Sequence, residues 1–153
     1  MALVSAGAAK AQNQPQTSDQ IDRYSVEPPT VTLVTVTGHY PFLVVVVGGP
    51  SDARSALAGR RRITSDEGIL YVQDVVQRLG ISNQGVPYPT DLLFASEDGQ
   101  IVEVHPQIMA NDSRVITSNV PVTAALQVLA GTIANTSAAP GDYLLNALFG
   151  RTL

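Results

Sequence analysis

The chain has 153 residues, of which 44% are hydrophobic and 14% charged, with a formal net charge of -4. That length is one domain's worth and can bury a core without staples; the composition is too apolar for intrinsic disorder, and no apolar run of about 18 residues is present to form a spanning helix. Nine lysines and arginines against thirteen carboxylates argue against a general nucleic-acid surface, and zero cysteines exclude disulfides, thiolate metal sites and a cysteine nucleophile.

The amino terminus differs from the rest. Met1 to Ala11 is small and apolar, and the stretch from Gln12 to Pro29 is rich in Gln, Asn, Ser, Asp and Pro with little to bury. Ala9-Lys10-Ala11 ahead of Gln12 has the small-x-small pattern of a secretory cleavage site, although no basic segment precedes it. Residues 1–29 are therefore read as a remnant secretory signal or as a flexible tail, and residues 30–153 as a single β-rich domain.

Val31 to Thr37 is β-branched and nearly alternating, Gly38-His39 is a turn, and Pro41 to Val47 is a second β run, so the pair predicts a hairpin. Val44 to Val47 lacks alternation, which predicts a strand covered on both faces. After Gly48-Gly49-Pro50, Ser51 is placed to cap a two-turn helix through Ala58 that Gly59 stops. Ser65-Asp66-Glu67-Gly68 is a turn into a short strand, Ile69 to Val72, with Asp74 to Leu79 a helical turn or loop. Thr90 to Ala95 and Gln100 to His105 flank the turn Ser96-Glu97-Asp98-Gly99 as the clearest hairpin, ended by Pro106. Met109 to Asn119 is polar and irregular, and Ala124 to Leu129 is a strand. Gly131 to Ser137 holds one helical turn, and Pro140-Gly141-Asp142 leads into a closing strand, Tyr143 to Phe149. Short strands separated by Gly and Pro turns, with one or two short helices, define a mainly β (α+β) class: a small β-barrel or sandwich.

The order of these motifs carries a resemblance. Pro50 to Arg61, with Leu57 and Arg60, stands where a proline-led short helix and a Gly-Leu-Met-x-Arg-like segment would follow a strand pair. Asp66, Glu67, Gly68, Ile69 and Leu70 fit an Asp-x-Gly-Met-Leu-like turn and strand. Pro89, Thr90, Asp91, Leu92, Leu93 and Phe94, then Glu97, Asp98 and Gly99, fit a Pro-x-Asp strand and an acidic-glycine turn. Ala130-Gly131 and Pro140-Gly141-Asp142 fit the ending. In this order the chain resembles the domain of unknown function 192 (DUF192) family, which implies a compact, mainly β domain and, for many relatives, a secretory signal. The chain departs from the family where a Trp-Met-x-Asn-Thr segment is replaced by Ser82-Asn83-Gln84-Gly85, and it has no tryptophan. A binding groove lined by that aromatic segment would be altered here. The family's biochemical role is not established, so the resemblance implies a fold more than an activity.

Chemistry-bearing residues are few. A hydrolase triad needs a nucleophile, a base and an orienting acid; the histidines are His39, in a turn, and His105, at a strand end, and no Gly-x-Ser-x-Gly elbow is present. Two histidines without a ligand spacing point to no metal, and Gly48-Gly49 without a following Lys-Ser/Thr is not a phosphate loop. Asp91, Glu67 and Asp142 are candidate carboxylates, each of which would otherwise fix a turn by accepting backbone hydrogen bonds. Asp91 stands out as an acid at the mouth of a barrel strand, able to anchor a loop or a ligand. Arg60, Arg61 and Arg62 form the sharpest charge feature, suited to an oxyanion or acidic partner, or to pairing with Asp66 or Glu67. The ligand- or partner-binding candidates are thus Asp91, Arg60, Arg61, Arg62 and His105.

The resulting expectation is a non-enzymatic binding or structural domain without cofactor, exported to the periplasm or beyond. Its partners would be proteins or a second copy met through the amino-terminal tail, with neither nucleic acid nor a membrane span. The alternative is a subunit of a large assembly, such as a capsid decoration or surface protein, which low charge, a single lysine and abundant Thr, Val, Asn and Gln would also suit. A hydrolase stands third.

Overall fold

A computed structural model describes residues 29–48 and 63–150. The expected helix after Ser51, the arginine run and the amino-terminal tail lie outside them. Along the chain come β1 (Thr30–Thr35), β2 (Gly38–Val47), β3 (Glu67–Gln77), β4 (Gly80–Ser82), β5 (Thr90–Ala95), β6 (Ile101–Ile108), β7 (Val115–Thr117), β8 (Val122–Leu129), α1 (Thr132–Thr136) and β9 (Tyr143–Leu145), then a 3-10 turn, Ala147–Phe149. One sheet has the order β6-β5-β8-β3-β2-β1-β9, and β4 and β7 form a separate ribbon. The large sheet curls into a half-barrel, as the mainly β reading anticipated.

Alternation explains how one sheet can serve two cores. On β8, Ala124, Leu126 and Val128 point to one side, where they meet Val31, Leu33, Phe42, Leu93 and Leu144. Ala125 points to the other, with Ile69, Tyr71, Leu92, Phe94 and the ribbon's Ile81. Because successive strand residues face opposite ways, a strand buried on both sides must be apolar at every position. All six residues of β5 are buried; Leu92 to Ala95 meet that condition, while Thr90 and Asp91 at its start are buried with hydrogen-bond partners.

The curled sheet closes on itself along a short seam. The amide of Ile101 donates to the Asp142 carbonyl at 2.7 Å, Gly141 donates to Ile101 at 2.8 Å, and Leu144 donates to Gly99 at 2.8 Å. Gln100 and Tyr143 bridge there, so the two edge strands, β6 and β9, touch at one end. Gly99 permits the approach: its φ is +87°, and an added Cβ would lie 2.3 Å from the Leu144 carbonyl oxygen.

Several sequence expectations are corrected. The β1–β2 hairpin forms, but its turn is Val36-Thr37, since Gly38 already pairs with Thr35. The hydroxyls of Thr35 and Thr37 both donate to the Thr136 carbonyl, at 2.6 and 2.8 Å, so docking against α1 sets the register of the turn. β2 is not covered on both faces: Phe42, Val44 and Val47 are buried, whereas Leu43, Val45 and Val46 are 40–44% exposed. Four consecutive valines therefore mark β-branched preference rather than double burial. β3 does not end at Val72 but runs to Gln77, with residues 73–76 leaving the ladder between the pairs Val72–Ala124 and Gln77–Val122. The Gln73 amide stitches this excursion by donating to the carbonyls of Gln77 and Val122.

Pro106 does not end β6, which continues to Ile108. A proline is tolerated on an edge strand, and Gln107 beside it takes a left-handed φ of 59° that bends the strand. The stretch Met109 to Asn119 is not wholly irregular either, because its Val115–Thr117 pairs with Gly80–Ser82. The closing strand is only Tyr143–Leu145, and Asn146 then caps the 3-10 turn by accepting from the Leu148 amide. The expected helical turn after Gly131 is α1.

Candidate functional site

Asp91 lies on β5, fully buried. Its Oδ1 accepts from the Gln107 amide at 2.8 Å, and its Oδ2 accepts from Gly131 at 3.1 Å and Ile133 at 2.8 Å. The residue preceding α1, Gly131, has no side chain with which to cap the helix. Asp91 supplies that missing acceptor from another strand, and it also ties down the bend in β6. α1 is held at its other end by Thr35 and Thr37, so the short helix spans from the β5–β6 edge to the β1–β2 hairpin. Asp91 is an anchor of loop and helix.

The other candidates are engaged in similar ways. His105 Nε2 lies 2.6 Å from Glu103 Oε2, and its ring packs edge-on against Phe94, with centroids 5.7 Å apart. Glu103 also accepts from the Asn119 amide through Oε1 at 2.7 Å, which fastens the segment between β7 and β8 to the β6 edge. Glu67 accepts from the Thr64 amide and Asp142 from the Ala139 amide, both local turn bonds. Asp91, Glu67 and Asp142 therefore each serve a different backbone segment. Among the described residues, no three of His, Asp and Glu gather as a metal site would require. Arg60, Arg61 and Arg62 lie outside the described residues.

A polar cluster that the sequence reading did not single out sits inside one core. Tyr71 Oη donates to Gln127 Oε1 at 2.6 Å, and Gln127 Nε2 donates to Asn83 Oδ1 at 2.9 Å and Thr90 Oγ1 at 3.0 Å. Asn83 Nδ2 in turn donates to the carbonyls of Tyr88 and Met109. Gln127, Asn83 and Thr90 are at most 1% exposed, so this network ties the 83–90 loop to the sheet. The signal was a lone glutamine within the apolar run Ala124 to Leu129.

A groove of about 250 Å³ opens between the start of β2, the turn before β3, and α1. Tyr40, Pro41, Phe42, Asp66, Asn135 and Thr136 are among the residues lining it. Phe42 is buried, while Asp66 and Asn135 stand exposed at the rim. The Tyr40 hydroxyl is 2.7 Å from Thr37 Oγ1, which fixes the ring. The Asp66 carboxylate accepts from the Thr64 hydroxyl through Oδ1. It forms no ion pair with another described residue. This site was not legible as a motif, because its walls come from three separate segments.

The sequence profile of DUF192, described as an uncharacterised ACR family, matches residues 32–145. A crystal structure from Sinorhizobium meliloti 1021, provisionally described as a transcription regulator, is 28% identical with a TM-score of 0.73, over 78% of this chain and 94% of that one. A protein of unknown function from Novosphingobium aromaticivorans DSM 12444 shares the fold at a TM-score of 0.70 and 18% identity, over 75% of this chain and 82% of that one. No curated protein matches the chain.

Proposed function

The chain belongs to the DUF192 family, and from that premise we propose that it is a non-enzymatic binding domain that takes its ligand in the groove between β2, α1 and the Ser65-Asp66 turn. One observation carries this reading. The groove's rim groups face solvent, whereas Asp91, Glu103 and Asp142 are spent on backbone amides and His105 on Glu103. Concave sites with an apolar floor and a few polar rim groups are where small ligands bind. The regulator description of the Sinorhizobium protein would ask for nucleic acid. The chain carries nine lysines and arginines against thirteen carboxylates, a net charge of -4, which argues against a phosphate-neutralising surface.

The protein is exported, with Met1 to Ala11 acting as the remnant of a secretory signal; the small-x-small pattern before Gln12 supports this. Among the described residues, no helix is long and apolar enough to cross a membrane. A small-molecule fragment screen followed by amide NMR tests the binding reading: hits should cluster on Tyr40, Phe42, Asp66 and Asn135. Hits confined to another face, or a hydrolase activity lost on Asp91→Asn without loss of stability, would overturn it. Mass spectrometry of the native protein should show a start at Gln12. An intact Met1 in an isolated particle would refute export and favour an assembly subunit.

A further inference from the structure

Resting on that reading of the groove, we infer the class of its ligand: a small organic ammonium ion, an amine carried on a compact aromatic or branched body. Its size follows from the space. A volume of about 250 Å³, at roughly 30 Å³ per water-sized group, holds about eight non-hydrogen atoms. Its charge follows from the walls. Asp66 brings a carboxylate, the other described residues of the lining are uncharged, and neither described arginine lies there. Arg114 is moreover committed to Asp112, its Nε 3.0 Å from both carboxylate oxygens.

The aromatic character of the lining points the same way. Tyr40 and Phe42 are aromatic residues of the lining, and aromatic rings attract a cation through their quadrupoles and accept an apolar body equally well. Among the described residues of the lining an anion would meet only the Asp66 carboxylate, and a neutral body would cover Asp66 without replacing its hydration. An ammonium group replaces that hydration with a charge-assisted hydrogen bond while its body covers Phe42.

The test compares benzylammonium, benzyl alcohol and benzoate at equal ionic strength, by amide NMR titration of the intact domain. Benzylammonium should shift Phe42, Asp66 and Asn135 and bind about fivefold more tightly than benzyl alcohol, the worth of a partly exposed ion pair. Benzoate should bind more weakly than either. Asp66→Asn should remove the preference for the amine, so that the variant binds benzylammonium and benzyl alcohol to within about twofold of each other. The Asp66 side chain is exposed and its backbone carbonyl still receives the Leu43 amide, so this variant should fold. Asn135→Ala serves as a second variant, with a smaller loss for the amine. Equal binding of amine and alcohol, or a preference that survives Asp66→Asn, would overturn the ligand class and leave the binding reading standing. No shift at the groove with any of the three ligands, together with fragment hits elsewhere, would remove both.

Discussion

Replacing Asp91 tests whether this buried carboxylate exists to hold backbone. In Asp91→Ala the amides of Gln107, Gly131 and Ile133 all lose their acceptor. At about 1 kcal/mol for each donor, the lower end for a buried group left unsatisfied, the loss is roughly 3 kcal/mol, and water reaching the part-buried sites would trim it. Relief of the carboxylate's own desolvation works in the opposite direction, but breaking a satisfied buried charge network usually costs more than it returns. A typical domain is stable by only about 5–15 kcal/mol, so the effect would be plain in a urea melt. Asp91→Asn keeps the shape and one acceptor. If its Oδ1 stays with Gly131 and Ile133, its amide nitrogen faces the Gln107 N–H, donor against donor. We expect a loss of about 1.5–3 kcal/mol, smaller than for alanine, with faster hydrogen exchange on one side of the residue only. A melt for Asp91→Asn within about 0.5 kcal/mol of the parent, with all three amides equally protected, would refute the anchoring role.

Three further outcomes follow. Gly99→Ala should destabilise by about 2 kcal/mol or more, because it combines an unfavourable φ with a 2.3 Å approach to the Leu144 carbonyl; exchange at Leu144 and Ile101 should accelerate, and unchanged protection there would contradict the seam. Gln127→Leu should cost about 1–3 kcal/mol by removing its bonds to Tyr71, Asn83 and Thr90, although Thr90 and Asn83 keep their mutual bond, while Tyr71→Phe should cost less, as measured by denaturant melts. The side-chain hydrogen bond from Arg114, its backbone amide and its charge hold Asp112 down at about 2. With the folded-state value depressed, the stabilisation from this pair is present above the ordinary aspartate range and disappears as pH falls from about 4 through about 2. A carboxyl-carbon NMR titration should show that midpoint, and Arg114→Ala should move it upward.

Local chemistry made part of the site visible. Asp91, ahead of an apolar strand, is legible as an anchor of a loop or ligand, and its three amide bonds hold a loop and a helix. The sequence offers His105 as a strand-end histidine and a binding candidate; its pairing with Glu103 follows from two residues sharing a face of β6, which alternation allows but does not by itself specify. The groove could not be read in advance, since Tyr40, Asp66 and Asn135 are distant in sequence and meet only once α1 is docked. The Gln127 network is not legible in the sequence for the same reason: its partners Tyr71, Asn83 and Thr90 come from other segments.

Length, apolar content and the absence of cysteine determined by themselves that the chain can bury a core and has no thiol chemistry, because burial and bonding potential are properties of composition. β-branched runs and glycine turns placed most strands, since backbone preference is local. Tertiary structure alone decided where the hairpin turn falls, how far β3 and β6 run, and what the carboxylates do. Those outcomes depend on long-range partners: the threonine hydroxyls reaching Thr136, the seam at Gly99, and the buried Asp91 drawing β6 and α1 together.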